Sequence, residues 1–533
     1  MQNGQVVIVG GGIAGLTAGI HAAKAGFSVT LIEKNDTCGG LVNSFVRDGF
    51  LFDGGTRALE GFLFPLLKGT DIELDYVHTP VSIGIEDSII LIKDAEAGIA
   101  QYRALLERLY PESIDEIGRI FKPIAKMGRF LRSVNKILGK KKGLAGFITE
   151  KLPGIGGLLA NLGVLINMNV PMETYFHKVL RVTNQSLQDI ILQHFFKGTP
   201  AFFALGYLYL YPDYVYARGG TGTLALVAEK RAREAGVEIH TGRSIVQVMP
   251  DEKLVIDEKG DQYRYDHLIW AADLRTLYKN LEETRIPAAA RESFTTEREK
   301  ILKAKGAESI FTLFLAVDED PAYFSAKSSS HLFFTPSRKG LGAVVREEQE
   351  YILQNWDTLS RDEIYRWIER LIRLNTFEVA IPVLKDPAAA PAHQTGLIIS
   401  CLFEYEVVKR AKEANWYDEL KEFVANRVIA LFSEGLYPGL DKKILFKIIA
   451  TPLTIEEIGG SSEGSVIGWS MKEPVPITAS MLKMPEAVNT AIPSVYKAGQ
   501  WTLSPAGIPT AVMTGHLAVQ AIRRVVKKTS GSK

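Results

Sequence analysis

Val6-Val7-Ile8-Val9, then Gly10-Gly11-Gly12-Ile13-Ala14-Gly15, then a run of small residues to Gly26 and Val29-Thr30-Leu31-Ile32-Glu33 decide how this chain is read. Four successive apolar residues, three of them β-branched valines, make a strand buried on both faces. The turn after them fits G-x-G-x-x-G at Gly10, Gly12 and Gly15. In that pattern the first glycine permits a tight turn and the second lets a pyrophosphate approach the backbone. The third lets helix and strand pack closely. The helix that opens at Ile13 and Ala14 offers N–H groups and the positive end of its dipole to that phosphate. Glu33 ends the second strand at the spacing where a carboxylate accepts hydrogen bonds from ribose hydroxyls. A lone G-x-G-x-x-G is weak, and an ordinary βαβ unit with a glycine-rich turn is the alternative. Strand, glycines, helix, second strand and terminal acid in this order point to a dinucleotide site.

The whole chain has 533 residues, 46% hydrophobic and 23% charged. That length suits two intimately packed domains, and that composition is globular. A net charge of +1 argues against nucleic acid as a partner. The two cysteines, Cys38 and Cys401, are far apart and make no metal-ligand spacing, so no metal site is expected. Their scarcity suits a reduced, cytoplasmic setting. The first strand begins close behind Met1, so no leader is expected ahead of it. No uninterrupted apolar run is long enough for a spanning helix.

Outward from Glu33 come Lys34, then Cys38-Gly39-Gly40-Leu41, then Phe50-Leu51-Phe52-Asp53-Gly54-Gly55-Thr56-Arg57. This series resembles the N-terminal signature of the flavin-dependent amine oxidase and phytoene desaturase superfamily. The resemblance implies that the dinucleotide is FAD, with the flavin beyond the Gly-Gly pair and Lys34, Gly39, Gly40, Leu41, Gly55 and Thr56 around it. Many members carry Arg or Lys directly after Gly-Gly, where this chain has Leu41. Arg57 either supplies that positive charge near the flavin from another position or is an ordinary ion-paired arginine.

From Glu60 to about Phe196 the βαβ rhythm gives way to helical periodicity, with helices over 99–109 and 114–138. Lys136, Lys140, Lys141 and Lys142 precede the apolar stretch Leu144 to Val170. Such a cluster either lies on an anionic membrane surface, here the inner face, or is a solvated turn before helices capping a cavity. An aromatic run follows, with Phe202, Tyr207, Tyr209 and Tyr211 as candidate substrate contacts. It lines an apolar tunnel or is simply core.

A second block runs from Tyr216 to Asp273. Gly219-Gly220-Thr221-Gly222 leads into a helix, strands follow at 237–242 and 245–248, and Lys259-Gly260 turns a hairpin. It resembles the superfamily segment that crosses the adenine end, which implies backbone contacts from Ile245 and a return to the cofactor at Ala272. His240 and His267 stand alone and read as structural or surface histidines. Between Leu274 and Val466 the pattern is mixed, with strands at 309–317 and 397–403 and helices at 362–375 and 411–431. No second G-x-G-x-x-G follows a strand, so an NAD(P)H donor, if used, has no domain of its own and shares the flavin face.

The C-terminal block is Val495-Tyr496-Lys497-Ala498-Gly499-Gln500-Trp501, then Pro505-Ala506-Gly507-Ile508-Pro509 opening the last helix. It is similar to phytoene desaturases, carotenoid isomerases and retinol saturases, which carry a similar Ala-Gly-Ile-Pro turn. That resemblance implies contacts to the flavin from Gly499, Gln500, Gly507, Ile508 and Pro509, and puts Trp501 beside the substrate. Gln500 replaces an acid that often binds the ribityl chain, so the charge is lost there. A helix start can also stabilise negative charge on a reduced flavin.

The fold expected is α/β. It has a Rossmann-like FAD-binding domain of the glutathione reductase type at 1–90, 205–285 and 480–533, and an interleaved mixed α+β substrate domain at 91–204 and 286–479. The resemblance implies an FAD-dependent oxidoreductase that desaturates, saturates or isomerises double bonds of an apolar isoprenoid or polyene. Flavin carries that chemistry without a protein nucleophile, and Arg57 is the candidate catalytic side chain. An amine oxidase-like dehydrogenase and a non-catalytic flavin or prenyl-lipid carrier are the alternatives.

Overall fold

The computed structural model describes residues 3–138, 168–472, 475–477, 481–504 and 506–531. Its first sheet is five-stranded and wholly parallel, in the spatial order Val237–His240, Ser28–Ile32, Gln5–Val9, His267–Trp270, Val495–Lys497. The quoted N-terminal strand is therefore central, which is why all four of its apolar residues are buried. Val6 and Ile8 face the helices Ile13–Lys24, Thr223–Glu234 and Ile508–Gly531. Val7 and Val9 face a three-stranded antiparallel sheet, Ile245–Met249, Leu254–Asp257 and Gln262–Arg264. Each such fully buried side chain contributes about 1.5–3 kcal/mol.

The second sheet has seven strands in the order Ile444–Ala450, Ser309–Val317, Thr395–Phe403, Phe377–Ala380, His331–Thr335, Val81–Ile85, Ser88–Ile92. All pairs are antiparallel except His331–Thr335 with Val81–Ile85. Directly paired residues point to the same face of a sheet. One face carries Phe311, Leu313, Leu332, Phe377, Val379, Leu397 and Ile399, and packs on the helices Arg361–Leu374, Tyr405–Glu413 and Tyr417–Glu434. The other face looks inward, toward the hairpin Ser44–Arg47 and Phe50–Asp53.

Three expectations are corrected. The region after Glu60 is not purely helical: it contributes Tyr76–His78, Val81–Ile85 and Ser88–Ile92. The last two form a hairpin around Glu86-Asp87, with Glu86 at φ 54°. The pair lacks the glycine that usually marks such a turn, which hid the hairpin. Because it pairs with the seven-stranded sheet, residues 81–90 are tied to that sheet and not to the parallel one. The helix read at 411–431 is two, Tyr405–Glu413 and Tyr417–Glu434, separated where Asn415 takes a left-handed φ of 59°. Elsewhere, the helix Ile114–Leu138 and the strand Ser309–Val317 appear where periodicity put them. Lys140 to Lys142 and residues 144–167 lie outside the described residues.

Candidate cofactor and substrate site

The glycines of the first turn differ in what surrounds them. A Cβ on Gly15 would lie 1.9 Å from the carbonyl oxygen of Gly10, so helix and strand touch backbone to backbone. A Cβ on Gly10, at φ 107°, would meet the Ala271 carbonyl at 2.7 Å. Around Gly12 nothing lies within 4 Å. Gly12 is also the N-cap of the helix Ile13–Lys24, which has no side-chain cap and no acid in its first turn. Open space before an uncapped helix start is what a pyrophosphate requires. Glu33 is buried and already oriented: Gly11 N–H donates to its Oε2 at 2.6 Å and Asn35 N–H to its Oε1 at 2.9 Å. The carboxylate keeps lone pairs for ribose hydroxyls.

Gly39 N–H donates to the Gly11 carbonyl at 2.9 Å, which brings the second glycine pair beside the first turn. A Cβ on Gly55 would lie 1.9 Å from the Leu41 carbonyl, and Thr56 N–H donates to that oxygen at 3.3 Å. Asp53, fully buried, accepts from Ser44 Oγ at 2.7 Å, Thr221 N–H at 2.8 Å and Tyr216 Oη at 2.9 Å. It thereby ties the hairpin to the 214–222 segment. On the far side, Gly499 at φ 92° approaches Ala14, and its N–H donates to Thr514 Oγ1 at 2.9 Å. The last helix starts at Ile508 beyond Gly507, whose added Cβ would meet only Pro509 Cδ at 3.8 Å. The predicted cofactor residues Gly10 to Gly15, Glu33, Gly39 to Leu41 and Gly55-Thr56 are thus drawn together, and the Gly499 turn joins them at Ala14.

Several predicted contacts have other partners. Lys34 Nζ donates to the Glu457 carbonyl at 2.8 Å, near the C-terminal end of the helix Pro452–Gly459, a favourable place for a cation. The Ile245 carbonyl accepts from Asn280 Nδ2 at 2.9 Å. Gln500 Nε2 donates to Ser461 Oγ at 3.2 Å. Trp501 is buried edge-on against Trp469, with ring centroids 4.7 Å apart, in a core separate from that of the aromatic run. It is core, not a substrate contact, in this arrangement. His240 pairs with Glu238 at 3.0 Å and His267 packs beside Tyr496, so both are structural as read.

Arg57 is buried, 3% exposed, and its guanidinium turns to the seven-stranded sheet. It donates to the carbonyls of Asp53 and Gly55 and to Ser400 Oγ at 3.2 Å, and lies 5.7 Å from the Phe314 ring. Ser400 Oγ in turn lies 2.9 Å from Thr312 Oγ1. This exposes what the sequence reading missed. The inner face of the sheet carries a polar row, Glu378, Ser400 and Thr312, in register, with Phe333 directly beside Glu378. His331 Nε2 lies 3.0 Å from Glu378 Oε1, close but not aligned as a hydrogen bond. Lys385 Nζ donates to the Arg57 carbonyl at 2.9 Å and lies 4.5 Å from the Tyr216 ring. Burial pulls Lys385 down to about 8, against Asp53 and Glu378, which raise it. Burial raises the Glu378 carboxyl, but His331, Arg57 and Lys385 outweigh it and hold it below the ordinary glutamate value. Strand alternation, glutamate inward at Phe377-Glu378-Val379, was the one available signal.

The aromatic run forms a helix, Ala201–Tyr207, and a following turn. Tyr207 Oη lies 2.5 Å from Tyr214 Oη, near Glu60, whose carboxyl burial raises. Tyr211 packs on Tyr207 at 5.5 Å and on Phe333 at 5.6 Å. It also lines a small apolar cavity with Ile83, Tyr102, Phe121, His194 and Leu205. Tyr209 instead packs on the helix Ile114–Leu138 at Gly128, and Phe202 is half-buried against the same helical core. Core and cavity wall are therefore the same residues seen from two sides. No cluster of metal-ligating side chains occurs among the described residues, nor any helix long and apolar enough to cross a membrane.

Residues 8–68 match the model of an NAD(P)-binding Rossmann-like domain. The chain is 27% identical over 493 residues to a 4,4'-diapolycopene oxygenase from Methylomonas, covering 88% of each chain. It is 24% identical over 490 residues to a 4,4'-diaponeurosporene oxygenase of Staphylococcus haemolyticus, again covering 88% of each. Among solved structures it resembles a cyclohexylamine oxidase from Brevibacterium oxydans, with a TM-score of 0.58, 12% identity and coverage of 98% and 99%. At that identity the likeness is one of fold: an α/β arrangement with a Rossmann-like domain, as the N-terminal stretch implied. The relatives are named oxygenases, a reaction outside the desaturation, saturation and isomerisation that the C-terminal turn suggested.

Proposed function

We propose that this chain is an FAD-dependent oxidoreductase acting on an apolar polyene. The observation that carries the cofactor is the empty surround of Gly12 before an uncapped helix start, with Glu33 held beside it. Gly10 to Gly15 and Glu33 would hold the dinucleotide, and Gly39, Gly40, Gly55, Gly499 and the Ile508 helix start the flavin end. Bound there, FAD supplies two-electron chemistry at carbon. The chain's own residues bind and orient. Tyr207, Tyr211 and Phe333 give a long apolar substrate an aromatic wall, and the Ile83, Tyr102 and Phe121 cavity extends it. Arg57 carries positive charge between the Gly55 loop and the sheet, and favours negative charge that builds nearby. The two carotenoid oxygenase relatives support a polyene substrate.

The test is direct. Heat-denatured protein should release free FAD, bound non-covalently, and the holoprotein should oxidise an acyclic C30 or C40 polyene with flavin reduction visible under anaerobic conditions. A second reading, an amine dehydrogenase, is favoured by one feature, the Glu378 carboxylate beside Phe333, which would suit a cationic substrate. Flavin reduced by apolar amines and by no polyene would establish that reading instead. A monotopic attachment through Lys136 and Lys140 to Lys142 is part of the proposal. It predicts flotation with anionic vesicles at low salt and release at high salt.

A further inference from the structure

The inner face of the seven-stranded sheet carries a single carboxylate among its described residues. Every other inward position from Ile310 to Ala316, Gly396 to Leu402, His331 to Thr335 and Phe446 to Ala450 is apolar, glycine, hydroxyl or histidine. Glu378 keeps 33% of its side-chain surface open although it sits deep within the molecule. It therefore borders internal space and is not packed into core. In its register row it stands between Phe333 and Ser400. Phe333 in turn packs on Tyr211 and His194, two walls of the apolar cavity. Glu378 thus stands where the charged cluster meets the aromatic wall. An apolar substrate lying along that wall brings its carbons past an ionised carboxylate, and a hydrocarbon offers a carboxylate only one thing to take, a proton.

We propose that Glu378 accepts the proton that leaves carbon when the substrate is oxidised, and that His331 positions it. This rests on the polyene reading given above. In the balanced step, one hydrogen leaves carbon as a hydride, to an oxidised flavin as the two-electron acceptor. The neighbouring carbon loses its hydrogen as a proton, which bonds to a Glu378 oxygen. The electron pair of that second C–H bond becomes the new π bond. The groups facing Glu378 suit the task from each side: His331 from the neighbouring strand, Arg57 from the loop after the hairpin, Lys385 beyond its own strand, and the hydroxyls of Tyr207 and Tyr211 along the wall. His331, then Arg57 and Lys385, keep it ionised and ready to receive a proton at neutral pH. Tyr214, whose ring lies 5.6 Å from His331 and whose hydroxyl meets Tyr207, continues the polar line toward Glu60.

The experiment uses the FAD-loaded full-length chain. Glu378→Gln should keep FAD and polyene binding at a lowered melting temperature, yet lose turnover about 100-fold or more, as removal of a general base does. The acidic limb of its kcat/KM profile should vanish. Glu378→Asp should restore part of the rate. In resting holoprotein, infrared difference spectra on acidification should show one carboxyl band absent from Glu378→Gln. His331→Gln removes a group that lowers Glu378, so that band and the acidic limb should both move to higher pH. If Glu378→Gln does not fold, the His331→Gln shift decides, since a merely structural histidine would not move either. Turnover of Glu378→Gln near wild type with its acidic limb intact overturns the role of Glu378, and no shift in His331→Gln overturns the positioning role of His331. A wild-type chain that oxidises no polyene overturns the functional reading, and the proton assignment falls with it.

Discussion

The phosphate cradle and the inner face of the seven-stranded sheet face opposite physical problems. The cradle works by what is missing: at Gly10 and Gly15 a single methyl would strike backbone, and at Gly12 it would fill the space left for a ligand. The inner face works by what is present: one carboxylate, two cations and two hydroxyls set into an apolar surface. A steric site tolerates no addition. A charged buried site tolerates no subtraction, because each removal leaves a partner unpaired.

The largest expected effect separates two glycines three residues apart. Gly15→Val should abolish folding of the parallel unit, since its side chain would meet the carbonyl of Gly10, a residue held by its N–H to the Ile32 carbonyl at 2.8 Å. Gly12→Val should fold but purify without flavin. Because FAD itself stabilises the folded state by mass action, the fair comparison is between apoproteins. Apo Gly12→Val should melt with apo wild type, while Gly15→Val should be insoluble or lack a cooperative transition. A yellow Gly12→Val with full flavin content would move the pyrophosphate elsewhere and remove the main argument for the cradle.

On the charged side, Arg57→Ala should cost about 1–3 kcal/mol, the range for leaving buried polar groups without their hydrogen-bond partner. The variant leaves Ser400 and the Asp53 and Gly55 carbonyls without their donor, and Glu378 without one of its two cations. Denaturant unfolding measures it. FAD should remain bound, because no contact of the Gly12 cradle runs through Arg57. The proposal that Arg57 also favours reduced flavin adds a second measurement on the same variant, a lower flavin reduction potential. A stability loss with an unchanged potential would make the arginine a tie between loop and sheet and nothing more.

The two regions were not equally legible in the sequence. The cradle is local: strand, glycines, helix and Glu33 lie within about thirty residues, and each has a steric or electrostatic reason that survives without tertiary context. The C-terminal helix start was legible for the same reason. The charged face is assembled from Arg57, His331, Glu378, Lys385 and Ser400, hundreds of residues apart in part, and no spacing links them. Arg57 drew notice as a charge beside a motif, yet nothing local indicated that its partner would be Ser400. Trp501 was misplaced because an aromatic residue near a cofactor motif looks the same whether it faces ligand or Trp469. The Val81–Ile92 hairpin escaped because Glu86-Asp87 lacks the glycine that usually marks such a turn.

An effect absent at neutral pH tests whether the cradle's helical backing is as intolerant of charge as its turn is of bulk. His21 on the first helix and His516 on the last lie ring to ring, 4.4 Å between centroids, beside the close approach of Gly515 to the Ala14 carbonyl. Burial, then His516 and Lys24, pull His21 down from 6.5 to about 4. The unfolded chain takes up a proton near pH 6.5, and the folded chain resists it until about pH 4. Between those values the unfolded state binds more protons, so stability falls as pH falls. The penalty is absent above about pH 7 and reaches about 3 kcal/mol near pH 4, since each tenfold loss of proton affinity on folding is worth roughly 1.4 kcal/mol. His21→Gln removes that titration. Urea unfolding of wild type and variant should agree at neutral pH and diverge on acidification, the variant becoming the more stable. Parallel pH curves would mean that the two rings separate and protonate freely. The packing of the last helix on the first would then be looser than Gly515 implies, and the helix start at Ile508, proposed to face the flavin, would lose part of its fixed position.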